Sequence, residues 1–274
     1  MDYPIASAQV RTASLDTMRE LAEVRARLDH AETHLESIRR TAADFLASKP
    51  YEMTMEFDQK RRVRQLVFRV RAEAPPALRH IISDMVNGIR SSLDHMVYEL
   101  AIISGSDPDA PGVRTQFPIY EDRQKYEKAR GKDLNGLDER FARLIGSKQP
   151  YQRGKVTGKR DPLAQVQWMS NLDKHRRPIT RFVQMTPHPA PIAVFDLRKM
   201  PSGAFEEVEV PRGRALRDGD VLATFSNPTQ FDTYMYPEAP VEVAFGKDEL
   251  TVERLGYIFA YIQREVIAPI ERAI

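Results

Sequence analysis

The stretch from Ala77 to Ser104, ALRHIISDMVNGIRSSLDHMVYELAIIS, constrains this chain more than any other. At about 100° per residue on a helical wheel, Ile81, Ile82, Met85, Val86, Ile89, Leu93, Met96, Val97, Leu100 and Ile103 fall on one broad face. The opposite face collects His80, Asp84, Asn87, Arg90, Ser91, Asp94, His95 and Tyr98. That pattern predicts a helix that buries the first face and presents the second. Pro75 and Pro76 bar a much earlier start, and Gly105 supplies the stop. An ordinary surface helix dilutes its polar face with Lys and Glu. This one concentrates side chains that bind, orient and move protons, so it is the expected functional helix.

Two other periods organise the rest. Leu21, Val24, Leu28, Ala31, Leu35, Ile38, Ala42 and Phe45 recur three and four apart, predicting a long helix over 15–48. Residues 51–72 alternate apolar and polar around DQKRR, predicting a β-hairpin. The span 107–161 reads as loop, with QFPIY (116–120) as a short extended piece and 137–145 as a short helix. Helices are expected over 162–176, with Pro162 in the first turn, and over 249–273. Between them, ITRFVQM, APIAVFDL, AFEEVEV, VLATF and VEVAF return to a period near two. The expected fold is α+β. A helical bundle of residues 1–178 and 247–274 includes the hairpin, and an inserted, mainly antiparallel β region, 179–246, packs on it.

Composition narrows the chemistry. The chain has 274 residues and no Cys, which removes disulfides, thiolate catalysis and Cys-based zinc sites. Its N-terminus lacks a basic-then-apolar leader, and no apolar run approaches a bilayer span. A cytoplasmic protein without a membrane partner is the expectation. A net charge of +2 points to no polyanion globally. Locally, SKQPYQRGKVTGKR gathers Lys148, Arg153, Lys155, Lys159 and Arg160 around two glycines and Tyr151. Such a loop suits phosphate contact and equally suits a solvated surface. Arg64 adds a cation on the hairpin. No phosphate-binding glycine loop or serine nucleophile elbow is present.

The segment Arg90-Ser-Ser-Leu-Asp94-His95 spaces an Arg and a His by four residues. It resembles the HEPN superfamily of helical-bundle proteins, and the wider pattern, NGIRSSLDHMVYELA with the later NLDKHRRP, looks like a set of uncharacterised bacterial proteins. Active members carry Arg, four to six residues, then His on one helix, and two protomers bring these motifs together to cleave RNA without a metal. The resemblance covers the bundle helices and implies a homodimeric endoribonuclease, a toxin or defence effector with an inhibitor or antitoxin partner. Ser91 departs from the Asn, Asp or His often found after the motif Arg. Arg25-Ala-Arg-Leu-Asp-His30 on the first helix has the same spacing, and Arg27 with His34 fits too.

On this reading His95 is the acid or base and Arg90 holds phosphate oxygens. Asp94 orients, and Asn87 donates to phosphate. Arg90 and His95 lie roughly 140° apart on the wheel, so a second copy would have to complete the site. Asn171, Asp173, His175 and Arg176 support it from the third helix. Three alternatives stay open. Arg90 and Asp94 can form a structural ion pair with His95 packed between helices. The chain can be a catalytically silent binding or assembly module. Asp94, His95, Asp173 and His175 can hold a metal in a hydrolase, although no metal or cofactor is expected.

Overall fold

A computed structural model describes residues 6–154, 160–175, 180–185, 205–206, 217–225, 241–245 and 250–274, with side chains from 21 onward outside 172–216, 223, 225 and 226–249. The chain is mixed helix and strand. It forms two compact units, Met1–Ser37, His80–Arg177 and Arg254–Ile274 in one, Ile38–Arg79 and Pro178–Glu253 in the other. Three of the four boundaries fall inside helices.

The first unit is helical. Helix α1 (Ala6–Ala47) buries Leu21, Val24, Leu28, Ala31 and Leu35 there, the expected seam. Helix α2 (Pro76–Ile103) buries Met85, Ile89, Leu93, Met96 and Leu100. The two cross closely at Gly88, where a Cβ would stand 3.2 Å from that of Ala31. Helix α3 (Arg123–Asp133) is capped by the Asp122 carboxylate, which accepts from the Lys125 amide at 2.9 Å. Helix α4 (Glu139–Ser147) buries Phe141 and Ile145, and a 3-10 turn covers Pro150–Arg153. Helix α5 (Pro162–His175) starts at Asp161, whose Oδ1 accepts from the Leu163 and Ala164 amides at 2.8 and 3.3 Å. Helix α6 (Val252–Tyr261) passes through a π turn, Ile262–Ile267, into α7 (Ala268–Glu271). Pro269 has no N–H to continue the α ladder, which accounts for the wider turn.

The second unit holds two antiparallel sheets. Strands β1 (Tyr51–Asp58) and β2 (Val63–Val70) form the expected hairpin, with Tyr51 opposite Val70 and Asp58 opposite Val63. The Asp58 carboxylate accepts from the Lys60 and Arg61 amides at 2.9 and 3.1 Å, shaping the turn. Strands β4 (Phe205–Glu206) and β5 (Val221–Phe225) complete a sheet of order β1-β2-β5-β4. Strands β3 (Thr180–Met185), β6 (Val241–Phe245) and β7 (Leu250–Thr251) make the second, in the order β3-β6-β7. The hairpin, grouped with the bundle in the sequence reading, therefore shares a sheet with β5. The turn before β5 seals that pairing. Phe68 donates to the Asp220 carbonyl at 2.8 Å, and the Val70 amide donates to the Asp218 carboxylate at 3.0 Å. Residues 186–200, which carry APIAVFDL, lie outside the described residues.

Candidate functional site

The polar face of α2 splits into two networks, and the two halves of the Arg-x4-His motif belong to different ones. Arg90 turns inward. Its side chain is only 7% exposed and pairs with Asp94 at 2.8 Å, one helical turn on. Its guanidinium also donates to the Phe117 carbonyl at 2.7 Å and to Gln167 Oε1 of α5 at 3.1 Å. Asp94 Oδ1 in turn accepts from the Phe117 amide at 2.8 Å. The pair thus takes both backbone polar groups of Phe117, whose ring is fully buried. Burial pulls the Arg90 guanidinium below its ordinary pKa, and Asp94 opposes that pull.

The clamp also holds the short extended piece expected at 116–120. Residues 116–120 form no strand. They are loop, and a buried loop must find partners for its backbone. Gln149, itself 1% exposed, donates to the Pro118 carbonyl at 2.8 Å and accepts from the Tyr120 amide at 2.9 Å. The Tyr120 hydroxyl donates to Asp133 at 2.8 Å. Side chains from α2 and the segment after α4 do for this backbone what a neighbouring strand does in a sheet, and Asp133 of α3 fixes the Tyr120 side chain.

His95 faces the other way. Its Nε2 lies 3.1 Å from Glu99 Oε1, and its ring stacks on Tyr98 with centroids 5.6 Å apart. Burial, then the charge of Arg27 on α1, push the imidazole below its ordinary pKa, while Glu23 opposes. A neutral imidazole can still donate Nε2–H to the carboxylate. Arg27 itself donates to the Ser91 hydroxyl at 2.8 Å and pairs with Glu23 at 2.9 Å. Asn87 is exposed on the same helix.

The remaining candidates scatter. Asn171 accepts from Gln167 at 3.2 Å, so α5 does extend the Arg90 network. The side chains of Asp173 and His175 lie outside the described residues, as do Arg176, Lys155 and Lys159. Lys148 is half-buried after α4, and Arg160 is exposed. Arg153 pairs at 2.7 Å with the fully buried carboxylate of Asp161 and donates to the Tyr261 hydroxyl. Arg254 donates to Gln165 at 2.7 Å and to the Arg160 carbonyl. Arg64 sits on β2 opposite Phe57 and Phe225, in the other unit. Among the described residues, no group of three or more His, Cys, Asp or Glu is placed to hold a metal. None of their helices is long and apolar enough to cross a membrane.

Sequence reasoning missed Phe117, Gln167 and Glu99. Glu99 was within reach, four residues from His95 on one helix face. Phe117 and Gln167 carry no local signal that ties them to Arg90. No family model, curated protein or solved structure matches the chain.

Proposed function

We propose that the chain is a HEPN-like binding and assembly module in which Arg90 is structural rather than catalytic. The burial of Arg90 carries this reading. Its guanidinium is held by Asp94, the Phe117 carbonyl and Gln167, with 7% of the side chain exposed. Turning it toward a phosphate would break a buried pair and strip Phe117 of a partner. Breaking such a pair costs about 3–5 kcal/mol. The partners in view are a second copy and RNA, the latter through Lys148, Lys155, Lys159 and Arg160.

One observation favours a second reading, the homodimeric, metal-independent endoribonuclease. His95 remains one-quarter exposed beside Glu99 and is biased toward the neutral form that a general base requires. RNA incubated with the purified wild-type chain in EDTA separates the two. The module leaves RNA intact. A nuclease cleaves it, and His95→Ala then loses roughly 10²–10⁴-fold in rate.

A further inference from the structure

We propose that His30 and His34 on α1 form a two-imidazole site for a divalent late transition-metal ion such as nickel, copper or zinc. The residues are four apart on one helix, so their Cα positions are fixed one turn from each other. His30 is exposed and His34 half-buried, which leaves both rings reachable from solvent. Their Nε2 atoms lie 3.1 Å apart, and the rings meet edge-on with centroids at 4.5 Å.

That separation is the one a chelate needs. Two imidazole nitrogens at about 2.0–2.1 Å from one metal, subtending about 90–110°, stand about 2.8–3.4 Å apart. Both lone pairs must point at a common centre, and Nε2 facing Nε2 is the arrangement that allows it. Without metal the same distance is a hydrogen bond, one ring donating and the other accepting. At the surface such a bond contributes little, so metal binding displaces a weak interaction for two coordinate bonds. Imidazole favours nickel, copper and zinc over magnesium or calcium. Among the described residues no third His, Cys, Asp or Glu joins the pair. Water would fill the remaining positions, leaving an open, exchangeable ion.

Nickel(II) titrated into the untagged full chain, followed by calorimetry and by paramagnetic broadening of histidine ring resonances, tests this. One equivalent should bind saturably, broadening His30 and His34 together. His30→Gln and His34→Gln should each weaken binding by at least about tenfold, since even outer-shell partners of metal ligands are worth 10–100-fold. His80→Gln should bind like wild type, and circular dichroism should be unchanged in all three. No saturable binding by wild type overturns the proposal. So does a variant of either residue that retains wild-type affinity, because a chelate needs both rings.

Discussion

Arg90 and Asp94 could be two partners in a simple ion pair or two jaws on one peptide unit, and the chemistry of replacement distinguishes these. A buried pair of the first kind can often be exchanged for apolar residues of similar volume at little cost. Here the exchange would leave the Phe117 N–H and C=O buried and unmatched. The double variant Arg90→Met with Asp94→Leu should therefore remain destabilised in urea unfolding by about 1–3 kcal/mol for each stranded group. Recovery of wild-type stability would reduce the cluster to a replaceable pair. His95 makes a separate statement. The fold favours its neutral form, so the unfolded chain takes up the proton first as pH falls. The stability it supplies at high pH should then be lost below about pH 6.5. Unfolding midpoints of wild type and His95→Gln, measured from pH 8 to 5, should converge or cross in that direction. The four-residue spacing made the Arg90–Asp94 contact legible in the sequence. Its target was not, because Phe117 lies in a loop with no periodicity to place it.

Elements with strong apolar periods were legible, and their contacts follow from small residues. Gly88 interrupts the α2 face where α1 presents Ala31, and a Cβ added there would stand 3.2 Å from the Ala31 Cβ, tighter than ordinary van der Waals contact. Gly88→Leu should lower the unfolding free energy by about 1–3 kcal/mol through overpacking. An unchanged urea midpoint would mean that the two helices separate freely there. Helix α3 shows the opposite case. RQKYEKARGKD buries only Tyr126 and Asp133, so it has no apolar stripe to announce it. Its start is set by the Asp122 cap, a signal of one residue. The hairpin was visible from alternation alone. Its pairing with β5 was not, since more than a hundred residues separate the strands and nothing local sets that register.

At the scale of the molecule, the cations of the 148–160 segment have different tasks. Arg153 neutralises the buried Asp161 and is tied to the α5 start. Arg160 is exposed, and Lys155 and Lys159 belong with it in sequence. If RNA is a partner, replacing Lys155, Lys159 and Arg160 with Ala should weaken binding across sequences and flatten its salt dependence. Equal affinity and slope in filter-binding titrations would remove the segment from the interface. The structural role of Arg90 is tested most directly by measuring unfolding and RNA cleavage in EDTA on the same preparations of wild type and Arg90→Ala. The clamp predicts a loss of about 3–5 kcal/mol in unfolding free energy, with no RNA cleavage by either protein. Rapid cleavage by wild type, lost in an Arg90→Ala protein of unchanged stability, would contradict it.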